Sequence, residues 1–249
     1  MEVRLKCLSP RPMATVRLLC LPFAGAGASL FRGWPDALPP HVEAYAVQFP
    51  GREDRLADAP FTRWERMVDA LEGSVRSLHP QPTAIFGHSL GALAAYALAH
   101  RLQHAGTPRL VHLFVSARPW HGDGATASAP AWSLDDDALL AGMAARFGAL
   151  PASLSHPEIR DVALPVLRAD LRLLEDHRDP SGQPLACPLT VFAGAHDPST
   201  PPSSLEGWRA GTSADFAIEQ FGGGHFFIES HRHALVASIS ARLPPPARW

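Results

Sequence analysis

Ser89 stands between two glycines in Gly87-His88-Ser89-Leu90-Gly91, directly after the apolar run 83–87 and directly before the alanine-rich stretch "LAAYALAHRL". A serine hydroxyl is a weak nucleophile unless a base sits beside it and a carbonyl can reach it. A sharp strand-to-helix turn gives that access, and glycines on either side remove the Cβ atoms that would clash in so tight a bend. G-x-S-x-G alone matches often by chance. Between an apolar strand and a helix it reads as a nucleophile elbow. The helix that follows aims its first amides and its dipole at Ser89.

A base and an acid must follow in chain order Ser, Asp/Glu, His for an elbow of this type. "FGGGHFFIES" supplies His225 just after an apolar run, with three glycines to fold the loop back and Phe226, Phe227 and Ile228 to anchor it. "VFAGAHDPSTP" supplies Asp197 at the end of another run, where sites in open α/β folds assemble. His225 would take the Ser89 proton and return it to the leaving group, while Asp197 would fix the imidazole tautomer. The other histidines fit less well. His231 and His233 lie in a helical segment, their spacing with His225 matches no familiar metal site, His196 precedes the acid, and His88 points away from the turn as a packing or supporting residue. Asp170, Asp176 and Asp179 fall in a helical segment and Asp215 opens a strand, so none of them is the expected acid. An oxyanion needs two backbone amides. One is that of Leu90; the other is expected from Ala24, with Phe23 as the alternative, in the small-residue loop "PFAGAGAS". That loop has neither the G-K-[ST] ending nor the G-x-G-x-x-G spacing of a nucleotide site.

These residues need strands that end together. Apolar runs at 16–22, 43–50, 83–87, 110–117, 189–195 and 215–221 are mostly continuous in hydrophobicity, as strands covered on both faces are. Helical patterns fall at 62–78, 90–104 and 230–242. The alternation predicts an α/β fold, a mostly parallel, doubly wound sheet, in one domain spanning 1–249. The stretch 118–188 breaks the rhythm and is expected to be a helical insertion. Ser133 with Asp136 three residues on suggests a capping box, Gly148 a stop, Pro157 a second helix start, and Pro165 a kink or split.

The composition is that of a globular chain: 249 residues, 46% hydrophobic, 18% charged, net charge −2. It offers no electrostatic case for nucleic acid, and no stretch of 18 apolar residues predicts a membrane span. Cys7, Cys20 and Cys187 form no metal-spaced set and, with no secretory signal, point to the cytoplasm.

In order along the chain, "LLCLPFAGAGAS", "VQFPGREDR", "FGHSLGALAAYALA", "LRADLRLLEDH", "VFAGAHDP" and "GGGHFFI" resemble the type II thioesterases of polyketide and nonribosomal peptide assembly lines. The "PFAGAG" and "PGRE" blocks separate that family from generic lipases and esterases. The resemblance implies an α/β-hydrolase with a helical lid. It implies release of stalled or aberrant acyl groups from the phosphopantetheine thiol of acyl or peptidyl carrier proteins, by a monomer with no cofactor or metal of its own. It places the triad on Ser89, Asp197 and His225. One departure is His177, where the family often carries an aromatic residue. Leu140, Met143, Phe147, Leu167 and Leu171 either line an acyl channel or form the packing face of the insertion. A carboxylesterase on the same triad and a non-catalytic carrier-protein or small-ligand binder are the rival readings.

Overall fold

The computed structural model describes residues 2–106, 109–120, 130–148, 150, 154, 156–178 and 183–245. Seven strands form one sheet: β1 (Arg4–Cys7), β2 (Val16–Leu21), β3 (Val42–Gln48), β4 (Thr83–His88), β5 (Leu110–Ser116), β6 (Leu189–Gly194) and β7 (Phe216–Phe221). Their order is β1-β3-β2-β4-β5-β6-β7. All neighbours run parallel except β1, which pairs antiparallel with β3 from Arg4↔Gln48 to Cys7↔Tyr45.

The six expected strands are present, and β1 is an addition. Its sequence, RLKC, is short and alternates charged with apolar residues, and its burial runs from exposed to half-buried. Such a pattern fits an antiparallel edge strand with one wet face, which a search for continuous apolar runs passes over.

The period of two in a strand sends alternate residues to opposite faces. Leu19, Leu21, Ile85, Val191 and Ala193 pack on one side, with α1 (Trp64–Arg76) and α2 (Leu90–Ala105). Leu18, Cys20, Phe86, Phe114 and Phe192 pack on the other, with α7 (Arg232–Arg242). α2 is apolar and buried on every side from Leu90 to Ala99, where it lies against the central strands β4 and β5, and turns polar only in its last turns. α1 is amphipathic and buries Trp64, Met67, Val68, Leu71 and Val75. The expected helix at 230–242 starts instead at Arg232, after a separate single turn, α6 (Phe227–Ser230), because Ser230 and His231 break the ladder.

Between β5 and β6 come α3 (Asp136–Phe147) and α4 (Pro157–Asp176), whose apolar faces meet in a cluster of Leu139, Leu140, Leu164, Leu167 and Leu171, and a single turn, α5 (Pro202–Leu205), follows β6. Of the stretch 118–188, residues 121–129, 149, 151–153, 155 and 179–182 lie outside the described residues, Asp179 and most of the small-residue loop included. Two local expectations are corrected. The cap of α3 is Asp135, whose side chain accepts from the Ala138 amide at 2.8 Å, while Ser133 sits one turn earlier and donates to the Pro130 carbonyl. Of the kink or split expected at Pro165, the split does not occur: α4 runs unbroken through it for 20 residues. Pro165 lies on the exposed face of α4, so the carbonyl its missing N–H leaves free can be hydrated. Gly148 and Pro157 terminate and start their helices as expected. Among the described residues, no helix is long and apolar enough to cross a membrane.

Candidate active site

β4 ends at His88, and Ser89 follows with φ 55° and ψ −112°, outside the comfortable region for a residue with a Cβ. The surroundings hold it there. The Ser89 amide donates to the Ser116 carbonyl at 2.8 Å, and the Ser89 carbonyl accepts from Ala92 at 3.0 Å. A Cβ on Gly87 would collide with the Gly91 carbonyl, and one on Gly91 with the carbonyls of Leu21 and Pro22. The elbow is thus packed backbone against backbone at both glycines.

Ser89 opens onto a cavity of about 270 Å³ whose walls include Phe23, Ala24, Phe147 and His225. His225 follows β7 and is buried, as is Asp197, which follows β6. His225 Nδ1 donates to Asp197 Oδ2 at 2.7 Å. With its proton on Nδ1, the ring carries a lone pair on Nε2, the form a general base needs. Burial pushes the Asp197 carboxyl up, but the hydrogen bond and charge of His225 and two bonds from Ser199 outweigh it and hold it below its ordinary value.

Ser199 is the supporting residue that motif reading missed. Its amide and its hydroxyl both donate to Asp197 Oδ1, at 2.9 and 2.6 Å, and its Oγ lies 3.1 Å from His225 Nδ1. The signal was present in Asp197-Pro198-Ser199, the pattern of an Asx turn that closes on its own amide two residues later.

His88 is buried against the loop that carries His225. Its Nε2–H donates to the backbone carbonyl of His225 at 3.0 Å, which leaves Nδ1 to accept from the Ser116 hydroxyl at 2.9 Å. Burial, with the nearby charge of His225, holds its pKa well below the ordinary histidine value, so it stays neutral. His196 is exposed, as is His233, and His231 immediately precedes α7 with Nδ1 3.0 Å from Ser230 Oγ. Among the rejected acids, Asp176 accepts from the Trp64 amide at 2.8 Å, Asp215 is exposed, and Asp170 forms a buried bidentate pair with Arg52. His177 places its ring edge-on to Trp64, 4.5 Å between centroids.

The loop after β2 narrows the choice of oxyanion donors. The amides of Gly25, Ala26, Ala28 and Ser29 are committed to Asp170 Oδ2, the Phe23 carbonyl, Gln48 Oε1 and Glu53 Oε1. Phe23 and Ala24 are the two residues that precede these and line the cavity with Ser89. Leu90 is the first residue of α2. From the stretch between β5 and β6, Met143, Phe147, Leu167 and Leu171 face the cavity, whereas Leu140 packs within the helical cluster. Leu167 and Leu171 belong to both, lining the cavity while packing in the cluster with Leu140.

A family profile described as "Thioesterase domain" matches residues 16–243. The gramicidin S biosynthesis protein GrsT of Aneurinibacillus migulanus is 32% identical over 92% of this chain and 90% of its own. The type II thioesterase BorB from the borrelidin biosynthetic cluster superposes with a TM-score of 0.85 at 34% identity, covering 98% of both chains. RedJ, a thioesterase from the prodiginine pathway of Streptomyces coelicolor, superposes at 0.83 with 36% identity over 94% of this chain and 88% of that one. With the family's match running from β2 past the end of α7, the chain belongs to the thioesterase family of α/β-hydrolases.

Proposed function

We propose that the chain hydrolyses acyl thioesters presented on the phosphopantetheine arm of carrier proteins, in the manner of the editing thioesterases of polyketide and nonribosomal peptide assembly. The observation that carries this reading is the sequence of contacts from Asp197 to His225 to the apolar cavity that His225 shares with Ser89. His225 Nε2 takes the Ser89 proton as Oγ attacks the thioester carbonyl. The amides of Leu90 and Ala24, or Phe23 in its place, hold the negative oxygen. The intermediate collapses by expelling the thiol, which receives the proton from imidazolium. Water then enters and attacks the acyl–Ser89 ester as His225 takes its proton, and the second intermediate collapses to the free acid while imidazolium returns the proton to Ser89 Oγ. A thiolate leaves readily, so the acid step asks less of His225 than amide cleavage would.

α3 and α4 serve as the lid over the acyl group. The cavity wall they supply is aliphatic and aromatic, with Met143, Phe147, Leu167 and Leu171, which favours an uncharged, apolar acyl chain.

The experiment is labelling with a fluorophosphonate, then hydrolysis of an acyl-carrier thioester beside an oxygen ester of the same chain length. Labelling of the wild type but not of Ser89→Ala, with preference for the thioester, is expected. Preference for the oxygen ester would favour a carboxylesterase. Absence of labelling and hydrolysis in folded wild type would leave a binder.

A further inference from the structure

Asp170 and Arg52 form a bidentate ion pair at 2.7 and 2.9 Å, with side chains only 2% and 6% exposed. A buried pair of this kind is a poor source of stability, because desolvating two charges offsets most of their attraction. Its contacts point to another use. Asp170 Oδ2 takes, besides Arg52 Nη1, the amide proton of Gly25 at 2.7 Å. Arg52 Nη1 also donates to the Ala26 carbonyl at 3.2 Å, and Nε to the Pro50 carbonyl at 3.3 Å. Gly25 has φ +83°, and the Ala26 amide closes a turn onto the Phe23 carbonyl at 3.0 Å.

The peptide plane that carries the Gly25 N–H also carries the Ala24 carbonyl. Fixing that plane from below by Asp170, and the next residue by Arg52, leaves the Phe23–Ala24 backbone little freedom beside Ser89. We infer that Asp170, held by Arg52, is a positioning residue for the oxyanion loop: by accepting the Gly25 proton it sets the amide next to it at the reacting carbonyl. Asp170 rides on α4, so seating α4 over the cavity and shaping the loop are one contact. The inference rests on the hydrolase reading above and adds a role for a carboxylate outside the triad.

The test compares the wild type, Asp170→Asn, and the double variant Arg52→Met/Asp170→Leu, which removes both charges and the Gly25 acceptor together while keeping apolar bulk. Asn retains an oxygen for Gly25 and serves as the conservative rescue. For each, thermal melting, kcat and KM on an acyl-carrier thioester, and affinity for a trifluoromethyl ketone that adds to Ser89 are measured. In the folded double variant, kcat is expected to fall about 30-fold or more with KM within about threefold, and ketone affinity to fall by a similar factor, the pattern of a lost transition-state contact. Asn should keep a larger share of both. A folded double variant with kcat within threefold of wild type, or one that loses kcat but binds the ketone as tightly, overturns the inference. If the double variant does not fold, Asp170→Ser decides, because its hydroxyl keeps a polar group beside Arg52 but is too short to reach the Gly25 amide: a matched loss in kcat and ketone affinity beyond that of Asp170→Asn supports the role, and values equal to those of Asp170→Asn overturn it. Wild-type hydrolysis is the separate control. Its absence would defeat the hydrolase reading and not the loop assignment, which the ketone affinity would still report.

Discussion

The ring of Phe147, the last residue of α3, lies 4.4 Å from the imidazole of His225, centroid to centroid, with the planes tilted by 40°. The side chain proposed as base is thus roofed by the helical segment, and Phe147 also lines the cavity shared with Ser89. An aromatic ring so placed screens the imidazole from water. Phe147→Ala is expected to lower kcat/KM by about fivefold to tenfold, the worth of ~1 kcal/mol of lost ring contact, and to flatten the dependence on acyl-chain length. Because Phe147 is only half-buried, the melting temperature should change little. Steady-state kinetics on a ladder of acyl-carrier thioesters checks both.

Ser199→Ala removes the hydroxyl bond to Asp197 Oδ1 and leaves the amide bond in place. The Asp197 carboxyl then rises toward its ordinary value, having lost one of the groups that hold it down. A fall in kcat of about tenfold or more at neutral pH is expected, from the roughly 1.5–3 kcal/mol of a hydrogen bond to a charged group. The loss should deepen as pH falls toward the carboxylate range. A pH–rate profile of the variant against wild type measures it.

Gly91→Ala sets a methyl group against the carbonyls of Leu21 and Pro22, which belong to backbone and cannot swing aside. The expected loss is about 2–4 kcal/mol, the range for overpacking combined with backbone displacement. Urea unfolding at pH 7 reads it directly. A stability equal to wild type would mean that the elbow tolerates a side chain where this packing says it does not.

Acid should weaken the fold through two buried histidines that lie away from the cavity. His100, buried beside Tyr96, and His112, whose Nε2 lies 2.9 Å from Thr190 Oγ1, are lowered by burial from 6.5 to about 4. A base with a depressed pKa is neutral when folded and binds its proton more readily when unfolded. The stability it contributes is therefore whole above pH 6.5 and lost as pH falls toward 4. Each group adds a slope of up to about 1.4 kcal/mol per pH unit in that window. Urea midpoints measured from pH 7.5 to 4 should fall, and less steeply in His112→Asn.

Much of this was legible in the residues because the chemistry imposes local patterns. An elbow needs its glycines in sequence neighbours of the serine, and buried parallel strands need unbroken apolar runs, so Ser89 and β2 to β7 could be read one segment at a time. What escaped depends on partners far apart in the chain. β1 is defined by its pairing with β3 and not by its own hydrophobicity. Asp170 meets Gly25 across 145 positions and Arg52 across 118, and no spacing rule links them. The cap of α3 was misread by two residues because Ser133, Asp135 and Asp136 all suit a cap, and only the geometry of the chain entering the helix selects Asp135. Pro165 was judged from its local cost alone, which is small where the freed carbonyl meets water.

The central claim is that an acyl group passes through a covalent ester on Ser89. Rapid-quench mass spectrometry of the enzyme mixed with an acyl-loaded carrier protein tests it most directly. An acyl adduct on the peptide that contains Ser89 is expected during turnover, and neither adduct nor turnover in Ser89→Ala. Thioester hydrolysis at near wild-type rate by folded Ser89→Ala, or an adduct found on another residue, would contradict it.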